Sequence, residues 1–400
     1  MSILKKADIL LPREDIDYGK WSVIACDQYT SQPDYWQRVE KNVGDAPSTL
    51  KIVYPEVYLS EGDKRIEAIN AQMNSYIENK IFTEYKNTLI FVERTQSDKR
   101  VREGILGAVD LEAYDFSKGS QSLVRATEGT VLERIPPRVK IRENAPLELP
   151  HILLLINDAE NTVIKKPNDA EKLYDFDLME NSGHLTGYRI GDTDADLILE
   201  KLDNMEKTAE GNLLFAVGDG NHSLATAKTC WENIKKTLKG DEIETHPARY
   251  CLVEIENIHS PALDFEPIHR VVFDVSDKEL LEGIKKFYPD TNTSGDGHHI
   301  HYISKNSEGD LYIKNSGSAL AVGALQNYLD TTGLKVDYIH GEDAARELSK
   351  NDENVAFLLP KMDKSDLFKA VIKDGALPRK TFSMGEANDK RFYFEAKKIK

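Results

Sequence analysis

Cysteine is scarce in this chain. The three residues Cys26, Cys230 and Cys251 are odd in number, widely spaced and form no CxxC pair. That spacing argues against a disulfide framework or a structural zinc site. Long apolar runs are missing too. No stretch approaches the roughly 18 apolar residues that a membrane helix needs, and "MSILKKADILLPRED" carries no cleavage signal. A cytosolic protein with no membrane partner is therefore expected. Positive charge is outweighed: 52 Lys and Arg face 68 Asp and Glu, a net charge of -16. An acidic chain is repelled by polyanions, so a nucleic-acid partner is not expected. A small phosphorylated ligand stays open, because a local nest of amides and basic groups binds one even in an acidic protein. Gly/Ser linkers, internal repeats and low-complexity tracts are all absent. What is present, 40% hydrophobic and 30% charged residues over 400 positions, suffices for a real core in one elaborate domain or two to three smaller ones. Oligomeric state is not legible.

The residue pattern predicts an α+β chain with a mixed sheet and flanking helices. "WSVIA" reads as a strand from Trp21 to Ala25 that breaks at Asp27 and enters a helix near Pro33. "TLKIVYPEVYL" reads as a second strand region. Ile66, Ile69, Met73 and Ile77 recur at helical spacing. "NTLIFVERTQ", "GILGAVDLEAYDF", "HILLLIND", "ARYCLVEIENI" and "NVAFLLP" read as strands, and Ser276 caps a helix. The organisation expected is an N-terminal α+β region, residues 1–145, and a C-terminal α+β region, residues 146–400, with the alternative of one compact unit.

One segment carries more chemistry than a connection needs. In "LLFAVGDGNHSLATAK" an apolar strand meets Gly218, Asp219, Gly220, Asn221, His222 and Ser223, and an alanine-rich helix follows. Such a turn presents backbone amides and the positive end of a helix dipole, which together suit an anion. Gly218 and Gly220 permit positive φ and close approach. Asp219 is a candidate general base or magnesium ligand, and His222 a candidate phosphate donor or acid/base group. The plainer account makes Asn221 or Ser223 an N-cap and Asp219 its turn partner. The GxxxxGK[ST] spacing of a P-loop is absent.

Other candidates surround it. Asp27, Thr30 and Ser31 sit at a strand end, where open α/β sites lie, or form a capping group ahead of Pro33. Arg125, Arg134, Arg138 and Arg142 cluster around Pro136 and Pro137. The two prolines place them in irregular chain, free to clamp phosphate or to pair with carboxylates. His269 and Arg270 reach a site or hold a strand. His298, His299 and His301 have the look of a metal cluster, but no carboxylate is seen to complete it, so a solvated loop is expected. Cys26 is read as a packed small hydrophobe.

"FAVGDGNHSLATAK" resembles the "ADGHHRYETA"-type signature of the bacterial family called domain of unknown function 1015. Further blocks fit in the same order: "WSVIACDQYTSQPDYW", "HILLLIND", "YCLVEIENIHSPALDFEPIHRVVF", "VDYIHG" and "AFLLP…DGALPRKTFSM". The Asp-Gly-X-His turn is also similar to the phosphate-binding turn of the ParB/sulfiredoxin superfamily, which includes nucleotide-dependent free-serine kinases. Asp219, Gly220 and His222 match that turn. Ser223 stands where the signature has arginine and Asn221 where it often has histidine, which removes a bidentate phosphate fork. Arg125, Arg138, Arg142 and Arg270 are the candidates to replace it.

This resemblance implies a phosphotransferase or phosphatase acting on a small metabolite such as serine or phosphoserine, with a nucleotide and Mg²⁺ as cofactors. The alternative is a non-catalytic nucleotide or phosphometabolite sensor. The expected site comprises Asp219 and His222 as catalytic groups, Asp219 also as metal ligand. Gly218, Gly220, Asn221, Ser223, Asp27, Thr30, Ser31, Arg125, Arg138, Arg142, His269 and Arg270 are the expected ligand-binding groups.

Overall fold

The computed structural model describes residues 2–168 and 170–400. It is an α+β protein, and its chain divides into two compact units. The first comprises residues 1–126, 130–263 and 386–400, the second residues 127–129 and 264–385. Residue 145, the expected boundary, falls inside the first unit.

The first unit is built on a mixed sheet. Its strands run in the order Glu171–Asp177, His184–Arg189, Ile90–Thr95, Val101–Asp110, Tyr250–Asn257, Leu153–Ile156, Phe215–Asp219, Val124–Ala126 and Tyr114–Asp115. Side chains alternate across the sheet, as the period of two requires. Ile90, Val92, Leu106 and Leu252 face one core with the helices Pro33–Val43 and Gly62–Glu78. Phe91, Ile105, Val253, Leu154 and Val217 face another with the helices Asp192–Thr208 and Asn221–Lys235. Both faces are covered, so the central strands "HILLLI" and "LLFAV" read as unbroken apolar runs.

The second unit has its own sheet, in the order Glu308–Ile313, His298–Ser304, Val355–Leu358, Phe265–Val272 and Val336–His340. The helices Asp277–Phe287 and Ala321–Leu329 cover one face with Leu280, Ile284, Leu325 and Phe357. The helix Glu342–Leu348 lies on the other, with Ala345 against Val271 and Ala356.

Several expectations need correcting. "TLKIVYPEVYL" is two 3₁₀ turns, Thr49–Lys51 and Glu56–Glu61; its aromatic and branched residues mimic a strand, but a tight turn with Pro55 intervenes. The strand expected over Trp21–Ala25 shrinks to Val23–Ile24, because Trp21 ends the short helix Tyr18–Trp21. The arginine cluster is not irregular chain. Residues Ile135–Arg142 form a helix with prolines in its first turn, where the missing N–H groups are not needed and the fixed φ suits the helix.

Among the described residues, no helix is long and apolar enough to cross a membrane.

Candidate functional site

The strand Phe215–Asp219 pairs antiparallel with Leu153–Ile156, with Leu153 opposite Asp219. The strand ends at Asp219 and the helix Asn221–Lys235 begins two residues later. Gly220 between them has φ +78°, and a Cβ built there would lie 3.0 Å from the Cα of Ile152. Glycine is needed here for both conformation and space. The positive φ belongs to Gly220, the N-cap; Gly218 lies within the strand, a correction to its expected turn role. The close approach at Gly220 is to Ile152, so the backbone that crowds the turn is the protein's own.

No side chain caps this helix: Gly220 is its N-cap and makes no side-chain cap bond. Neither Asn221 nor Ser223 is the N-cap that the plainer account proposed. Asp219 Oδ1 accepts from the Gly220 N–H at 2.8 Å, and Oδ2 meets the Lys390 ammonium at 3.1 Å. Burial alone would raise the Asp219 pKa. The charge of Lys390, then of His151, with hydrogen bonds from Lys390 and Gly220, outweighs it and holds the carboxyl below its ordinary range.

Ser223 Oγ lies 2.8 Å from His151 Nε2, and His151 Nδ1 lies 3.0 Å from the Tyr393 hydroxyl. That hydroxyl also accepts from the Cys26 N–H at 3.2 Å. Tyr393 is buried, which keeps its phenol protonated far above neutral pH. The pairing of Val23–Ile24 with Phe392–Tyr393 sets Tyr393 in place. Arg391 donates to the Pro150 carbonyl at 3.1 Å, tying down the residue before His151.

His222 has a different environment. Its Nε2 accepts from the Val131 N–H at 3.3 Å. Because an amide only donates, that nitrogen carries no proton and the neutral ring holds its proton on Nδ1.

A cavity of about 440 Å³ in the first unit is lined by Ser223, Thr226, His151, Tyr393 and Cys26 on one side. Ile52, Tyr54, Met73, Ile141 and Leu149 supply apolar wall, with Arg134, Arg138 and Arg142 beside them. Arg138 pairs with Glu56, and Arg142 with Glu148. Arg125 points elsewhere, its guanidinium donating to the carbonyls of Ser122 and Gly211. Asp27, Thr30 and Ser31 lie outside this lining. They occupy the turn before the helix Pro33–Val43, whose N-cap is Gln32 with no side-chain bond, so they do not cap it. Cys26 is pushed up to about 12 by burial, then by the charge of Asp27, which leaves it an unreactive thiol at neutral pH.

His269 and Arg270 belong to the second unit. His269 Nδ1 accepts from the Leu359 N–H at 3.1 Å. Arg270 is fully buried and donates to the carbonyls of Ile268, Lys380 and Arg379. Both hold backbone in place. The expected lack of carboxylates near the histidine cluster is corrected as well. Asp310 bonds both His299 and His301, and Glu308 bonds His301, because the hairpin register sets His301 opposite Asp310. Among the described residues, no group of three or more His, Cys, Asp or Glu is arranged to hold a metal ion.

The sequence reading missed His151, Tyr393 and Lys390. His151 had one visible signal, a polar side chain directly ahead of an unbroken apolar strand. Lys390 and Tyr393 had none.

None of the curated proteins compared matches this chain. Among solved structures, truncated SbnI from Staphylococcus aureus is similar at 10% identity, covering 70% of this chain and 82% of that one, with a TM-score of 0.39. A conserved hypothetical protein from Pyrococcus furiosus matches at 10% identity, 72% and 92% coverage and a TM-score of 0.37. A free serine kinase in complex with AMP matches at 12% identity, 76% and 93% coverage and a TM-score of 0.38. Scores this low carry neither residue equivalence nor function. The family model described as "Protein of unknown function (DUF1015)" matches residues 10–332, and the chain belongs to that family.

Proposed function

We propose that this protein is a phosphotransferase or phosphatase acting on a small metabolite, with serine or phosphoserine the first candidates, at the turn 218–223. The observation that carries the reading is the uncapped helix start beside an ionised, partly exposed Asp219–Lys390 pair. With Gly220 as the N-cap, no side chain covers the amides of the first helical turn. Here the helix dipole and a lysine stand together at an open end, which suits a phosphoryl group. Lys390, itself paired with Asp219, is the cation at the turn and takes the place of the missing arginine as a point charge; Arg138 and Arg142 pair with the carboxylates Glu56 and Glu148, and Arg125 with carbonyls. Asp219 is the base toward an attacking hydroxyl. It is also the one carboxylate at the turn that would contact a magnesium ion, which supplies charge neutralisation when bound with the nucleotide's phosphates.

Steady-state turnover on a panel of nucleotide and pyrophosphate donors with serine, and phosphate release from phosphoserine, tests the reading. Replacing Asp219→Asn should lower turnover about 100-fold or more, the scale of a lost acid/base group. Undiminished turnover in that variant removes Asp219 from the mechanism. Saturable nucleotide binding by the unmodified protein with no turnover on any donor would favour a sensor.

A further inference from the structure

The Ser223–His151–Tyr393 chain opens on the 440 Å³ cavity, and the phosphoryl reading makes no use of that cavity. Its volume lies within the roughly 300–1,000 Å³ typical of small-molecule sites. The cavity reaches the surface where Leu59, Glu133 and Arg134 are exposed.

Charge decides what it holds. Arg138 is neutralised by Glu56, and Arg142 and Lys397 share Glu148. Glu133 and Arg134, of opposite sign, stand at the mouth. The guanidiniums inside the cavity, Arg138 and Arg142, are both paired, Arg134 stands only at the exposed mouth, and Ile52, Met73, Ile141 and Leu149 supply apolar wall. An uncharged, mainly apolar body fits such walls, with one polar group directed at Ser223.

The polar end has the parts of an acyl-transfer centre. The Ser223 hydroxyl is in hydrogen-bond contact with the imidazole, and the far imidazole nitrogen is oriented by Tyr393. The Ser223 N–H lies in the first helical turn, ahead of the helix's own ladder, which opens with Leu224 N–H on the Gly220 carbonyl at 3.0 Å. That N–H belongs to the positive end of the helix dipole and would serve as the oxyanion donor.

We infer that Ser223 and His151 form a hydrolytic site for carboxylic esters of uncharged, apolar acids, with the acyl group in the 440 Å³ cavity. Ser223 Oγ bonds to the ester carbonyl carbon, and its proton passes to His151 Nε2. The carbon–oxygen bond to the alcohol breaks. Its electron pair stays on the alcohol oxygen, which takes the proton from His151. Water then adds to the acyl–Ser223 ester with His151 as base, the acid leaves and the serine hydroxyl is restored. One ester and one water become one acid and one alcohol. Tyr393 is a positioning residue. This site shares the turn residue Ser223 with the phosphoryl reading but uses different chemistry, since that reading rests on Asp219 and Lys390.

The full chain is assayed with p-nitrophenyl butyrate and, separately, treated with a fluorophosphonate probe followed by peptide mass spectrometry. Saturable hydrolysis is expected, with the probe on the peptide bearing Ser223. Ser223→Ala should remove the label and lower kcat about 1,000-fold or more, and His151→Gln should lower it about 100-fold or more. The labelling readout needs no variant, so a folding defect does not obscure it. Absence of label on Ser223, or ester hydrolysis that survives Ser223→Ala, overturns the inference. Donor-dependent phosphoryl turnover without ester hydrolysis would sink this site and leave the phosphoryl reading standing. Ser223-dependent hydrolysis without phosphoryl turnover would support this site and count against that reading.

Discussion

Replacing Gly220 by Ala puts one methyl group where the turn meets the neighbouring strand. Two costs arise. The backbone at φ +78° is left-handed, which costs an L-residue about 1–2 kcal/mol. The new Cβ would also lie 3.0 Å from both the Cα and the Cγ1 of Ile152. The side-chain atom can swing away, but the Cα cannot move without shifting the backbone next to His151. Overpacking of this kind costs about 1–3 kcal/mol. The sum is about 2–5 kcal/mol, a large fraction of a typical domain's stability. Gly119→Ala separates the two terms. Its φ is +81°, and nothing lies within 4 Å of its Cβ position, so it carries the conformational cost alone. Urea unfolding followed by far-UV circular dichroism should show a midpoint drop of about 1 M for Gly220→Ala, taking a slope of roughly 3 kcal/mol/M. Gly119→Ala should show a smaller drop. Equal drops for the two variants would refute the tight approach of Ile152 and, with it, the account of how the turn and His151 are held together.

Arg391 is buried and bonded to Glu254 at 2.7 Å and Glu395 at 2.9 Å. Arg391→Met strands both carboxylates and should cost about 3–5 kcal/mol, measured by the same urea unfolding. Glu256 is raised well above the ordinary carboxylate range by burial, partly offset by Arg102 and reinforced by Glu254. Its folded pKa exceeds its unfolded value, so its contribution is intact below about pH 4 and is lost as pH rises toward the folded value. Glu256→Gln should therefore gain stability relative to the unmodified protein between pH 5 and pH 8; a constant difference across that window would contradict the raised pKa. Asp219 has the opposite sign. Its folded pKa is lowered, so it stabilises above the unfolded value and loses this as pH falls through the folded one. In thermal unfolding, Asp219→Asn should be less acid-sensitive than the unmodified protein below about pH 4.

Local chemistry in the chain was enough to determine the strand, turn and helix around residues 213–235. An apolar run, a glycine and an alanine-rich stretch act over a few neighbours, and periodicity reports them directly. The same holds for the helix Asp277–Phe287 with Ser276 as its cap, and for the α+β class. Proline misled where position mattered more than identity: Pro136 and Pro137 break a helix interior but begin the one at Ile135. The site was only partly legible. Asp219 and Ser223 stood out in the turn, but the groups that set their chemistry come from far along the chain. His151 is 72 residues from Ser223, Tyr393 is 242 from His151 and Lys390 is 171 from Asp219. No local pattern encodes such pairings. They follow from the antiparallel register that sets Leu153 opposite Asp219 and from the return of residues 392–393 to pair with Val23–Ile24. The arginines show the same division. Their charge is written in the sequence, but whether a guanidinium meets a ligand, a carboxylate or a carbonyl depends on which buried partner lies within reach. Folding decided that by placing Glu56 against Arg138, Glu148 against Arg142 and two carbonyls against Arg125, since a buried charge is stable only when paired.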